Sequence, residues 1–124
     1  MDKKIKKAWL KALRTPPDEG GYVKTRKVMH RRYEDVDSFC CLGVLANLHE
    51  LMCPTEPLVD TYGRKENPFG AGIGPNSLHD WASSGNTRIG PDPTHLRHHA
   101  SALARLNDDS ETFEPVIDYI ETHL

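Results

Sequence analysis

Two adjacent cysteines, Cys40 and Cys41, open the apolar run Phe39-Cys40-Cys41-Leu42-Gly43-Val44-Leu45. A thiol in the first turn of a helix feels the positive end of the helix dipole, which lowers its pKa and favours the nucleophilic thiolate. Covalent catalysis would also need a histidine within hydrogen-bond reach and an orienting side chain. His79, His95, His98 and His99 are available for the first role, and Asn107 for the second. Cys41 falls in phase with the helical apolar stripe and reads as core, because free cysteine is among the most buried residue types. Cys40 lies off that stripe, so an enzyme reading, a cysteine-dependent hydrolase or transferase, would rest on Cys40 with His79.

Cysteine and histidine also invite a zinc reading. His95 with His99, and His49 with Cys53, have i, i+4 spacing, but neither pair has a matching second pair. Adjacent cysteines on a helix point in different directions and chelate poorly. No metal and no cofactor is expected.

A third chemistry is anion binding. Residues 1–33 hold eleven Lys and Arg against three carboxylates, a balance of +8, whereas the remainder balances at −10, so a net charge of −2 conceals a strong asymmetry. The two halves can neutralise each other across the fold, or the basic third can present a face to a phosphate-bearing ligand or an acidic partner. Gly70-Ala71-Gly72-Ile73-Gly74-Pro75 offers backbone able to cradle an anion, although no P-loop and no G-x-G-x-x-G is present. The candidate ligand set is therefore Arg14, Lys24, Arg26, Gly70, Gly72 and Gly74. A helix-turn-helix reading of 94–123 would make the last helix the reading helix. Its Glu111, Glu114, Asp118 and Glu121 would be repelled by phosphates, which argues against nucleic acid and leaves only Lys24, Arg26, Lys27, Arg31 and Arg32 as a basic route.

These residues must be positioned by a small domain. With 124 residues, 37% of them apolar, the chain can bury one core and is read as a single domain over 1–124. The apolar stretches are too short to cross a bilayer, and three cysteines make no disulfide framework, so a cytoplasmic setting without membrane contact is expected. Ile5, Ala8, Trp9, Ala12 and Leu13 form one stripe of an amphipathic helix that Pro16-Pro17 stops. An extended segment is expected near 28–33. Asp37 or Ser38 should cap a second helix whose stripe is Cys41, Val44, Leu45, Leu48 and Met52, ended by Pro54. Residues 54–77, with prolines 54, 57, 68 and 75, form an irregular excursion with a short hairpin around Leu58–Tyr62. Such a long loop is often functional or partner-facing. Ser77–Trp81 reads as one helical turn and Thr87–Ile89 as a strand. Thr94 should cap a third helix through Leu96, Ala100, Leu103 and Leu106, with a turn at Asn107–Ser110. Thr112 should cap a final helix carrying Phe113, Val116, Ile117, Ile120 and Leu124 inward. The expected fold is α+β, three main helices around a small antiparallel sheet or hairpin.

Three groups of residues carry a resemblance. Trp9-Leu10-Lys11-Ala12-Leu13-Arg14 with Tyr22-x-x-x-Arg26, then Phe39-Cys40-Cys41-Leu42-Gly43-Val44-Leu45, then Leu103-Ala104-Arg105-Leu106-Asn107-Asp108 with Thr112-Phe113 and Ile117-x-x-Ile120-Glu121 resemble a family of small uncharacterised proteins of tailed phages and prophages. The likeness spans roughly 9–48 and 103–121. A second cysteine often follows the Val-Leu in such sequences, where this chain has Ala46. The resemblance implies a phage setting in a host cytoplasm rather than a reaction. Small accessory proteins of that kind act by binding, so the expected function is non-catalytic, anti-defence binding of a host protein or of a phosphorylated or nucleotide signal. An interaction module using the 54–77 loop, and self-association, are further expectations.

Overall fold

A computed structural model describes residues 1–59, 62–67, 69, 73–83 and 93–124. The order of elements is α1 (Lys3–Arg14), β1 (Val23–Lys24), β2 (His30–Tyr33), β3 (Val36–Phe39), α2 (Cys41–Met52), α3 (Asn76–Ala82), α4 (Ala100–Asp108) and α5 (Glu114–His123). The α+β class holds; the number of helices and the sheet differ from expectation.

Four helices close a ring of contacts, α1 on α2, α2 on α4, α4 on α5 and α5 back on α1. Asp2 starts α1 by accepting from Ile5 N–H at 2.9 Å, and the helix buries Ile5, Trp9 and Leu13. These join residues of α2, α4 and α5 in one apolar cluster. The α2 helix is central. From Cys41 to Ala46 every residue is buried, not one stripe alone. Beyond that Leu48 is half-buried and His49 buried while Leu51 and Met52 are exposed, so the expected stripe does not extend to Met52.

The sheet is mixed, in the order β1-β3-β2, with β1 parallel and β2 antiparallel to β3. The antiparallel-only expectation fails because β1 lies along β3 rather than beside β2. Glu34 and Asp35 turn the β2–β3 hairpin with φ of 48° and 64°. That is the backbone of a two-residue type I′ turn, which normally selects Asn-Gly or Asp-Gly. The expected strand near 28–33 is β2, and β2–β3 supplies the antiparallel hairpin; Glu-Asp carries no turn signal that would place it at 34–35.

β3 runs to Phe39, so α2 starts two or three residues later than the Asp37 or Ser38 caps would place it. Its N-cap is Cys40, whose Sγ accepts from Gly43 N–H at 3.4 Å. The segment from Thr94 begins with a 3₁₀ turn, Leu96–His98, capped by His95 rather than Thr94. Asn107 lies within α4 instead of in a turn. Thr112 precedes α5 and its hydroxyl accepts from Glu114 N–H at 3.3 Å. In the 54–77 excursion, a single bridge joins Val59 to Lys65 among the described residues. The strand expected at Thr87–Ile89 lies outside them.

Gly43 lets the β2 end of the sheet press on α2. A Cβ there would lie 1.8 Å from the Met29 carbonyl oxygen, a backbone atom that has no side-chain rotation to escape by. Gly43→Ala is therefore expected to destabilise the fold by about 3 kcal/mol or more, beyond ordinary overpacking, read as a lower urea midpoint.

Candidate functional site

The cysteine pair sits at a junction, not in a cleft. Cys40 is 4% exposed and Cys41 fully buried. Burial raises both thiol pKa values, Cys41 well above the ordinary value, and for Cys40 the Gly43 N–H bond offsets this only in part. The helix start that would activate a thiol is here shut away from water, so desolvation outweighs the dipole.

The backbone around the pair is held from three sides. Trp9 Nε1 donates to the Cys41 carbonyl at 2.9 Å. The Cys41 N–H donates to Asn107 Oδ1 at 3.0 Å, and Asn107 Nδ2 donates to the Thr25 carbonyl at 2.9 Å. Cys40 N–H donates to the Met29 carbonyl at 3.2 Å. Asn107 is fully buried, so its amide supplies an acceptor to an orphan N–H of the α2 N-terminus and a donor to a loop carbonyl.

Lys24 and Asp108 extend this junction to the surface. Lys24 Nζ donates to the Asn107 and Ser110 carbonyls at the end of α4, which suits a cation near a helix C-terminus. Burial, then the neighbouring Arg26, lowers the Lys24 pKa. Asp108 Oδ1 accepts from Lys27 N–H at 2.7 Å, holding Lys27 at a left-handed φ of 67°.

A cleft of about 430 Å³ opens beside it, lined by Lys24, Thr25, Arg26, Lys27, Arg31 and Glu111. Four cations face one carboxylate. Lys24 and Arg26 of the expected ligand set meet here, and Lys27 and Arg31 join them through the loop and β2. Arg14 does not: it pairs with Glu121 and lines a separate groove along α1. That pair and the α1–α5 contact put the basic first helix against the acidic last one. Gly74 has a positive φ of 82° but is packed, since a Cβ would lie 3.1 Å from Leu78 Cδ2 and 3.5 Å from His79 Nε2. Gly70 and Gly72 lie outside the described residues.

The histidines are engaged elsewhere. His79 is 1% exposed and its Nε2 donates to the Ile73 carbonyl at 2.6 Å, leaving a buried Nδ1 without a partner. No hydrogen bond joins it to Cys40. His95 Nδ1 accepts from Arg97 N–H at 3.2 Å, and its Nε2 lies 3.3 Å from Asp80 Oδ1. His99 bonds the Tyr119 hydroxyl at 2.7 Å and the Pro93 carbonyl at 2.6 Å. His49 lines a third pocket, of about 310 Å³, with Cys53, Leu58 and Glu66. Among the described residues no group of three or more His, Cys, Asp or Glu is placed to hold a metal. No described helix is long and apolar enough to cross a membrane.

The profile of a domain of unknown function, DUF8296, matches residues 1–124. The chain belongs to the DUF8296 family. No curated protein and no solved structure matches it significantly. In this DUF8296 chain the segments that carried the phage-protein likeness converge on the junction just described: Trp9, Cys40-Cys41-Leu42-Gly43 and Asn107-Asp108 are bonded to one another or to the 24–29 loop. Lys24, Arg26, Lys27, Arg31 and Arg32 form one basic group in the sequence; that the first four wall a single cleft, without Arg32, depends on the hairpin.

Two outcomes follow for the thiols and histidines. In the folded DUF8296 chain, Cys53 alone is partly exposed, so Ellman's reagent should modify one thiol rapidly at neutral pH and all three only in denaturant. Burial lowers the pKa of His49 and His79 below 6.5. The unfolded chain therefore binds more protons as pH falls below about 6.5, and stability is lost on acidification from there. The urea midpoint should fall between about pH 7 and 5.5, with a shallower slope in His79→Gln.

Proposed function

We propose that this protein is a non-catalytic binding protein whose ligand carries phosphate and sits in the cleft of Lys24, Arg26, Lys27 and Arg31. The observation that carries the reading is the convergence of those four cations, from β1, a strained loop and β2, on a cleft with Glu111 as its single carboxylate. An ammonium has three donors, and two on Lys24 already serve the carbonyls of Asn107, in α4, and of Ser110, just beyond it. Lys24 is thereby fixed in place with one donor left for a ligand. Arg26 and Arg31 can supply the paired N–H geometry that phosphate oxygens accept.

The setting we propose is a phage or prophage one, on the sequence likeness, with the chain withdrawing a phosphorylated host signal and so acting against a defence. A host protein presenting phosphate would meet the same cleft. The reading of Cys40 with His79 as an enzyme has weaker support: the thiol is buried with a raised pKa, and each side chain is bonded to other partners.

Calorimetric titration with inorganic pyrophosphate tests the cleft. Binding is expected, weakened by added salt, and Arg26→Ala or Arg31→Ala should each reduce affinity by roughly tenfold or more, the scale of one charge-assisted hydrogen bond. Pyrophosphate should be recovered intact after denaturation. Unchanged affinity in both variants would remove the proposal.

A further inference from the structure

The face of the sheet that carries Arg31 continues from the cleft. Side chains alternate along a strand and partners across a ladder share a face. The pairing of Arg31 with Ser38, Tyr33 with Val36 and Val23 with Ser38 therefore puts Arg31, Tyr33, Val36, Ser38 and Val23 on one side. Lys24, His30, Arg32, Asp37 and Phe39 take the other side, where His30 and Phe39 rings lie 4.9 Å apart and Phe39 meets Tyr22 at 5.1 Å. The Lys24 ammonium thus reaches the cleft from the opposite face. On the first side Tyr33 is 71% exposed, Val36 52% and Val23 37%.

An exposed tyrosine opposite a valine is commonly a cross-strand pair that steadies a hairpin. Here its position adds something. Arg31 lines the cleft, and Tyr33 follows two residues along the same face, about 7 Å away at the rise of a strand. The two-residue turn at Glu34–Asp35 makes Tyr33 and Val36 the closing pair of the ladder, so the backbone fixes the side of the sheet from which the Tyr33 ring projects. A phosphate seated on Arg31 would carry its ester arm within reach of that ring.

We propose that the ligand is a free mononucleotide, with its phosphates on Arg26, Lys27 and Arg31 and its base stacked on Tyr33 beside Val36. The proposal rests on the phosphate reading of the cleft. The charges are complementary, and the aromatic face supplies what inorganic phosphate cannot use. Carboxylates bound this surface at both ends, Glu111 on the cleft wall and Glu34-Asp35 at the hairpin turn, which favours one nucleotide over a longer polyanion.

The test compares adenosine 5′-diphosphate, inorganic pyrophosphate and a single-stranded oligothymidylate on the full chain and on Tyr33→Ala and Tyr33→Phe. Adenosine diphosphate should bind at least about tenfold tighter than pyrophosphate, within the range of one base–aromatic stack. Tyr33→Ala should abolish that preference while pyrophosphate affinity stays within about twofold, and Tyr33→Phe should keep it, since stacking needs the ring and not the hydroxyl. Equal affinity for the two small ligands in the natural chain, or equal weakening of both by Tyr33→Ala, overturns the base contact and leaves the phosphate cleft standing. Tighter binding of the oligothymidylate than of the diphosphate overturns the mononucleotide. Absence of pyrophosphate binding overturns the cleft reading, and this proposal with it.

Discussion

A helix that begins inside a protein must satisfy N–H groups that no turn of its own can reach. For α2 that constraint is met by the side chain of Asn107, which accepts from Cys41 N–H and donates to the Thr25 carbonyl in one buried amide. Other parts of the junction depend on it. Thr25 is held beside Lys24 and Arg26, so the amide that completes the α2 start also places the loop that walls the cleft. An aspartate there could accept from Cys41, but ionised it would have no N–H for Thr25 and would add a buried charge.

The division of labour around the junction explains why the cysteines are an inviting misreading. Their types and their place at a helix start are those of reactive thiols. Yet Cys40 acts as a weak cap and Cys41 offers both backbone groups, to Asn107 and Trp9, while the side chains fill space. Charged chemistry instead lies one layer out, where Lys24 serves both as a terminus for α4 and as part of the cleft.

Much of the helical frame was legible in the sequence. The Trp9 stripe and the Phe113–Ile120 repeat show helical spacing because each buries one face, and the run from Cys41 is apolar throughout because the start of α2 is buried on every side. Sheet and junction were not legible, for different reasons. β1 has only two residues, too few for alternation to register, and its parallel partner comes after the intervening β2. Glu34-Asp35 adopts a turn usually marked by glycine or asparagine. Asn107 followed by two aspartates looks like turn chemistry, and only its burial reveals a cross-link. Within the candidate site, Lys24 and Arg26 could be picked out by charge alone. Lys27 and Arg31 stand out by charge as well, but their place in one cleft, without Arg32, needed the fold, and Arg14 was drawn away by Glu121.

The span of the Asn107 cross-link bears on the time course of folding. Its two principal bonds join residues 66 and 82 positions apart, and the Lys24 bond to the Asn107 carbonyl spans 83. Closing such long loops carries an entropic cost that local helix formation cannot offset early. During synthesis the chain through Met52 would emerge with the α2 start unsatisfied and Cys40 and Cys41 still accessible. The Cys41 thiol, whose Sγ meets the Leu103 carbonyl at 3.7 Å, is fully shielded only when α4 arrives. Folding thus closes late and from the C-terminal side, and the half-made chain is the form in which Cys41 is chemically vulnerable.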